Sequence, residues 1–203
     1  MRIGIAGFRG YSGAELVLIL ERHPRVEVVL LEHRLDPDGP SRPRRAPVAP
    51  STPEAVSSQK LELVFLATPP EVSMDLAPAM LAAGARVIDL SGAFRLGTPE
   101  RYRAWYKQEH TQPALLAEAV YGLPEFCRER VRQARLVANP GCYPTAANLA
   151  IRPLVEAGVI DPKAGIVCDA KSGVSGAGRK PSLKTSFCEV TGNFSAYAIL
   201  DHR

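Results

Sequence analysis

The chain has no C-x-x-C pair, and its four cysteines, Cys127, Cys142, Cys168 and Cys188, stand far apart without clustered histidines. That spacing argues against a zinc site and against a disulfide framework, so four reduced thiols are expected. Long apolar runs are also missing. The longest are short and interrupted, well under the roughly 20 residues that a membrane-crossing helix requires. Strand signals begin at Arg2 and leave no room for a signal peptide, so the expected location is the cytoplasm. Aromatic residues make up 6% of the chain. No aromatic-rich motif accompanies the basic groups Arg42, Arg44, Arg45 and Arg128, Arg130, Arg132, Arg135. The net charge of +4 therefore gives a nucleic-acid partner little support and suits anionic small molecules equally well.

What remains is an ordinary globular composition: 203 residues, 46% hydrophobic and 23% charged, enough for one full domain and part of another. No internal repeat is present. Arg2 to Ala6 reads as a β run, Gly7 to Gly13 as a glycine-rich turn, and Ala14 to Glu21 as a helix with Leu16, Val17 and Leu20 on its apolar side. Val26 to Leu31 reads as a second strand. The Pro-rich stretch from Asp36 to Pro53 predicts an exposed loop, after which strand signals resume at Leu63 to Leu66, Val87 to Asp89 and Leu136 to Ala138. A helix containing Met74, Leu76, Met80 and Leu81 and a charged amphipathic segment separate these strands. Such alternation predicts a doubly wound α/β fold, a parallel sheet with right-handed crossovers and helices on both faces.

Gly7, Gly10 and Gly13 form G-x-x-G-x-x-G between the first strand and the first helix. The spacing differs from the common G-x-G-x-x-G, but the context is that of a nucleotide turn: backbone can approach a pyrophosphate, and helix N–H groups face its charge. Gly7, Gly10, Tyr11, Ser12 and Gly13 are the cofactor-binding candidates. At the end of the second strand Glu32 suits a ribose diol, whereas His33 and Arg34 suit a 2′-phosphate. The residues alone leave NAD or NADP open.

The most telling stretch is Asn139-Pro140-Gly141-Cys142-Tyr143-Pro144-Thr145. A short buried strand leads in and Pro140-Gly141 turns the chain. Ala146, Ala147, Leu149, Ala150, Leu154 and Val155 have the spacing of a helix packed on a core, with Cys142 as its cap. A thiol there meets unpaired N–H groups and the positive helix end, which favour a reactive thiolate. Further on, Ser172, Gly173 and Ser175 occupy a glycine-rich loop after an apolar strand ending near Asp169, suited to a phosphate. Arg179 and Lys180 suit a carboxylate or phosphate, and Tyr197 suits the same pocket. His23, His33 and His110 lie in turn-like or charged contexts and read as solvated.

Four ordered motifs, Gly7 to Leu16, Tyr121 to Glu125, Asn139 to Thr145 and Ser172 to Arg179, together resemble the N-acetyl-γ-glutamyl-phosphate reductases of arginine biosynthesis. These enzymes fall in the wider aspartate-semialdehyde dehydrogenase superfamily. The resemblance runs over the whole chain. It implies an NADP(H)-binding Rossmann domain over 1–141, followed from 142 to 203 by the incomplete beginning of an α/β (α+β) substrate and dimerisation domain. It also implies Cys142 as the catalytic thiol, His202 in the family's His-Arg-His segment as the acid/base candidate, and the Ser172-Gly173 loop at the active site beside the cofactor. Asn139, Ser175, Arg179 and Tyr197 become the substrate-binding candidates, with no metal. The implied reaction is NADPH-dependent reduction of an acyl phosphate to an aldehyde. A thiolate displaces the phosphate, and the resulting thioester accepts hydride. The implied partners are a small acyl-phosphate substrate and further copies of the chain in a homo-oligomer, with neither nucleic acid nor membrane. Two departures stand out. Ala93 in Ser91-Gly92-Ala93-Phe94-Arg95 replaces a usual acidic residue, leaving Arg95 available, and the chain stops at Arg203 well short of family length. A sister reductase acting on aspartyl phosphate or on carrier-bound aminoadipyl phosphate, and a non-catalytic nucleotide-binding module, remain as alternatives.

Overall fold

The computed structural model describes residues 1–32 and 46–199. Strand β1 (Arg2–Ala6), helix α1 (Tyr11–Leu20) and strand β2 (Glu27–Glu32) make the first crossover unit. An edge strand β3 (Val48–Pro50) and helix α2 (Pro53–Ser58) follow, then β4 (Leu63–Leu66), α3 (Pro70–Ala82) and β5 (Arg86–Asp89). Helices α4 (Pro99–Tyr106) and α5 (Pro113–Glu118) lead to β6 (Val120–Tyr121), α6 (Pro124–Gln133) and β7 (Leu136–Ala138). Helix α7 (Cys142–Glu156), several short 3-10 turns and α8 (Phe187–Val190) complete the described chain.

The seven strands form one sheet in the order β3-β2-β1-β4-β5-β7-β6, every pairing parallel. The order reverses between β1 and β4, and the crevice at the carboxyl ends of these strands is where such sheets hold ligands. Both faces are covered, as a parallel sheet requires. In β2, Val28 and Leu30 join Ile3, Ile5, Phe8 and Val17 on one face. The alternate residues Val29 and Leu31 join Val64, Leu66, Met74, Met80 and Val87 on the other.

Proline placement explains several helix starts. Helices α2, α3, α4, α5 and α6 all begin on proline, where the missing N–H costs nothing and φ is already set. Thr52 and Thr98 cap two of them, each side-chain oxygen accepting from a backbone N–H 3.3 Å away.

The strand expectations at Arg2, Leu63, Val87 and Leu136 match to within a residue. Four readings need correction. The first helix starts at Tyr11, not Ala14, because Gly13 already has helical backbone packed on Gly7. The stretch read as a loop to Pro53 contains β3. An edge strand pairs on one side alone and so tolerates its prolines, with Leu30 donating to the Pro47 carbonyl at 2.8 Å. Helix α7 forms, but none of its residues is buried, and Leu149 and Leu154 stay 39% and 44% exposed because no described element covers that face. The apolar run ending near Asp169 is not a strand: among the described residues no neighbour pairs with it, and Val167 is 89% exposed.

Candidate functional site

The glycine turn lies at the carboxyl end of β1, and its glycines differ in what holds them. Gly7 has φ +78°, and a Cβ there would sit 2.2 Å from the Ala67 carbonyl oxygen. At Gly13 a Cβ would meet the Gly7 carbonyl at 2.3 Å, so its absence lets α1 pack against the turn. Gly10 is different: the nearest atom to its Cβ would be the Gly7 carbonyl oxygen at 3.4 Å, an ordinary contact. Among the described residues nothing demands glycine at this position. A pyrophosphate lying against the backbone would. Gly10 is also the N-cap of α1 and offers no side chain to that helix's first N–H groups. The amides of Tyr11, Ser12 and Gly13 therefore remain to bind an anion. On these observations the turn fits a dinucleotide.

Cys142 sits at the carboxyl end of the same sheet. It is the first residue of α7 rather than its cap, a place taken by Gly141, whose extended φ of −70° and ψ of 165° any residue adopts. No side chain caps this helix either, and the thiol at its first residue is exposed. Arg95 fixes this turn from behind. Its Nε donates to the Asn139 carbonyl at 2.9 Å and its Nη2 to the Leu90 carbonyl at 2.8 Å, joining the ends of β5 and β7. A Cβ on Gly141 would lie 3.1 Å from the Arg95 Nη1, so the guanidinium lies tight against the turn. The Asn139 side chain turns back on Pro140, donating to its carbonyl at 3.0 Å.

Asp89 lies beneath, fully buried at the end of β5. Burial lifts its carboxyl above the ordinary value, against hydrogen bonds from Ser73 and Ser91 and the nearby charge of Arg95. Ser91 donates to it twice, from the backbone at 3.1 Å and from the hydroxyl at 2.8 Å. This network orders the segment carrying Arg95. Ala93, where an acid was expected from the resemblance, is itself fully buried, and its carbonyl accepts from His110 Nε2 at 2.8 Å. His110 is therefore a core residue, 8% exposed, and not solvated as its sequence context suggested.

Two further segments meet at Tyr143, the residue after the thiol. Tyr197 donates to the Tyr143 hydroxyl at 2.7 Å, and Ser172 Oγ lies 3.5 Å from the Tyr197 hydroxyl. The bond from Ser172 lowers the Tyr143 phenol, but the bond with Tyr197 and its other surroundings outweigh it and leave the phenol above its usual value. Arg179 stacks over the Tyr11 ring with its guanidinium 4.9 Å from the centroid, placing the glycine-rich loop against the cofactor turn. Ser172 and Gly173 precede the 3-10 turn Val174–Ala177, Ser175 lies within it, and all three are exposed. Of the sequence candidates, Arg34 and His202 fall outside the described residues, as does His33.

Of the others, Arg179 meets Tyr11 of the glycine turn, and Tyr197 and Ser172 meet at Tyr143 beside Cys142, while among the described residues no contact brings Ser175 or the Asn139 side chain to either place. Tyr143, Asp89 and Ser91 were not foreseen, nor was an ion pair between Arg9 of the glycine turn and Glu32. Only their positions beside motif residues signalled them. Among the described residues no group of His, Cys, Asp and Glu has the arrangement of a metal site, and no helix is long and apolar enough to cross a membrane.

Comparison with known proteins places this geometry. A family model described as the semialdehyde dehydrogenase NAD binding domain matches residues 2–134, and one described as the semialdehyde dehydrogenase dimerisation domain matches residues 142–203. The N-acetyl-gamma-glutamyl-phosphate reductase of Nitrosococcus oceani is 47% identical over all of this chain and 61% of its own length. That of Symbiobacterium thermophilum is 49% identical over 98% of this chain and 59% of its own length. The chain thus spans about 60% of the curated relatives it matches. In fold it is similar to aspartate semialdehyde dehydrogenase II of Vibrio cholerae, with TM-score 0.57 and 21% identity over 77% of this chain and 46% of that one. The Francisella tularensis aspartate semialdehyde dehydrogenase gives TM-score 0.55 and 12% identity over 78% of this chain and 41% of that one. With a matching NAD-binding model over most of its length, this chain belongs to the semialdehyde dehydrogenase family.

Proposed function

We propose that the chain is the amino-terminal part of an NADPH-dependent reductase that converts N-acetyl-γ-glutamyl phosphate to N-acetylglutamate semialdehyde and phosphate. The observation that carries this reading is Cys142 at the uncapped start of α7, braced by Arg95 at the end of the parallel sheet that carries the glycine turn. The named relatives supply the substrate. The site supplies the means.

The Cys142 thiolate attacks the acyl carbon, phosphate leaves, and a thioester forms on the sulfur. The tetrahedral oxyanion formed on the way needs preorganised donors, and the Cys142 amide at the start of α7, a helix without a side-chain cap, is the candidate. The nicotinamide cofactor, when bound, supplies hydride to the thioester carbon. Gly7 to Gly13 would hold its pyrophosphate, and Ser172 and Gly173 would border its reactive end. Asn139, Ser175, Arg179 and Tyr197 are the candidates for binding the substrate's carboxylate, amide and phosphate. His202 is the candidate acid/base that manages the proton as the aldehyde and free thiol separate. Residues 1–141 form the cofactor domain and 142–203 begin the catalytic and dimerisation domain. The protein acts as a homo-oligomer in the cytoplasm.

Selective alkylation tests the nucleophile. Cys168 and Cys188 are exposed like Cys142, so accessibility alone predicts similar labelling. On this reading limiting iodoacetamide at neutral pH labels Cys142 first, about tenfold faster or more, and bound NADPH slows it. Equal labelling of the three exposed thiols, read by peptide mass spectrometry, would remove Cys142 from the nucleophile's role.

A further inference from the structure

Asn139 is the last residue before the Pro140-Gly141-Cys142 turn, and one short segment grips its backbone from two sides. Its amide donates to the Asp89 carbonyl at 2.8 Å, and its carbonyl accepts from Arg95 Nε at 2.9 Å. Residues 89–95 therefore set where β7 ends and where the thiol turn begins. What shapes that segment lies inside the protein. The Leu90 amide still bonds to the Leu66 carbonyl of β4 at 2.9 Å, but the next amide, that of Ser91, turns back to Asp89 Oδ1 at 3.1 Å. The Ser91 hydroxyl donates to Asp89 Oδ2 at 2.8 Å, while its oxygen accepts from the Ala93 amide at 3.0 Å.

Two local turns of this kind, one closed by an aspartate and the next by a serine, fold the chain tightly as it leaves a strand. They aim Arg95 back at the sheet, where its Nη2 reaches the Leu90 carbonyl at 2.8 Å. Burial makes the arrangement costly to break. Asp89 is fully buried and Ser91 only 9% exposed, so a bond lost between them is not replaced by water. A third buried side chain, Ser73 of α3, bonds to the Asp89 carboxyl, and its hydroxyl lies 2.8 Å from Thr68 Oγ1. The carboxyl is thus fixed by a helix on one side and directs the 89–95 segment on the other.

We propose that Asp89 and Ser91 are positioning residues for the Cys142 thiol, acting through Arg95. They hold the guanidinium where it clamps Asn139 and lies against Gly141, 3.1 Å from where a Cβ would stand. This rests on the reading of Cys142 as the nucleophile. It makes two buried groups with no part in the reaction itself set how fast the thiol reacts.

Alkylation by limiting iodoacetamide at neutral pH, read by peptide mass spectrometry, tests it on Ser91→Ala, Asp89→Asn, Arg95→Gln and the Ser91→Ala/Arg95→Gln double variant. Circular dichroism checks folding, and NADPH dissociation constants are measured alongside. In each folded variant Cys142 should label about fivefold more slowly, the scale of one lost hydrogen bond, with the exposed Cys168 and Cys188 within about twofold of wild type. NADPH affinity should hold to within about twofold, whereas a general loosening of the shared sheet would weaken it too. The double variant should label within about twofold of Arg95→Gln alone, because both changes cut one chain of interactions. Should Asp89→Asn not fold, Ser91→Ala, which keeps the carboxyl, decides. Unchanged Cys142 labelling in a folded Ser91→Ala, effects that multiply in the double variant, or a matching loss of NADPH binding overturns the proposal and leaves the nucleophile reading intact. A wild type whose Cys142 labels no faster than Cys168 and Cys188 overturns the nucleophile reading, and the proposal with it.

Discussion

Gly10 and Gly13 are chemically identical residues three positions apart in one turn, yet the structure gives them different work. A methyl at Gly13 collides with the Gly7 carbonyl at 2.3 Å, backbone against backbone, so Gly13→Ala must open the packing of α1 on the turn. The expected cost is a few kcal/mol of stability, on the scale of overpacking. A methyl at Gly10 has room among the described residues and an allowed backbone, with φ −70° and ψ 167°. Gly10→Ala should therefore keep its melting temperature to within about 2 °C while NADPH binding falls about tenfold or more, because the methyl occupies the approach of the pyrophosphate. Thermal melts and calorimetry on the two variants check this. Loss of binding without loss of stability in Gly13→Ala, or the reverse pattern in Gly10→Ala, would refute the assignment. The residue scale was also where sequence reading reached furthest. Glycine spacing and the Pro-Gly-Cys turn are local, and local backbone chemistry is what a motif encodes. Arg95 was noted only as available, because nothing in Ser91 to Arg95 says that its partners are carbonyls of Leu90 and the distant Asn139.

Among the elements, the segment between β5 and α5 has its own pH sensitivity. His110 lies between the rings of Phe94 and Tyr102, at centroid distances of 5.5 and 4.7 Å. Its Nδ1 accepts from the Gln112 amide at 3.0 Å, so the neutral ring carries its proton on Nε2 and donates it to the Ala93 carbonyl. Burial pushes the imidazole below its ordinary 6.5, only partly offset by that carbonyl. The folded chain thus binds a proton less readily than the unfolded one. This contribution to stability is complete above pH 6.5, declines as the pH falls below it, and levels off beneath the depressed folded value. His110→Gln keeps a donor and an acceptor without the titration, and should flatten that part of the stability profile, measured by urea denaturation from pH 7.5 to 5. An unchanged slope would show that other groups carry it. The sequence hid this role because His110 follows Lys107, Gln108 and Glu109, a solvent-facing run, and its burial comes from rings and a carbonyl 8 to 17 positions away. The same blindness affected α7. Its apolar spacing marks a face that wants a partner, but periodicity does not say which part of the chain provides one.

At the level of the whole molecule, the legible part is the sheet and the less legible part is everything after α7. Parallel strands buried on both faces read as short apolar runs between turn signals, and most were found by that rule. The strand expected near Asp169 failed because a strand is defined by its neighbour, and among the described residues Ile166 to Asp169 has none. Val167, Leu183, Phe187 and Phe194 are each more than 70% exposed in the same region, the region matched by the dimerisation model. The two candidate sites nonetheless sit on the sheet: the thiol turn after β7 and the glycine turn after β1. On the proposed function, their separation makes cofactor binding independent of the nucleophile. The measurement that tests it most directly is phosphate-dependent reduction of NADP⁺ by N-acetylglutamate semialdehyde, with the chain extended to the length of its relatives. Wild type and Cys142→Ser are compared, and NADPH affinity is determined on both. The account predicts turnover that requires phosphate and Cys142, none in the serine variant, and NADPH affinities within about twofold of each other. Turnover by Cys142→Ser, or loss of turnover and NADPH binding together in a folded variant, would contradict it.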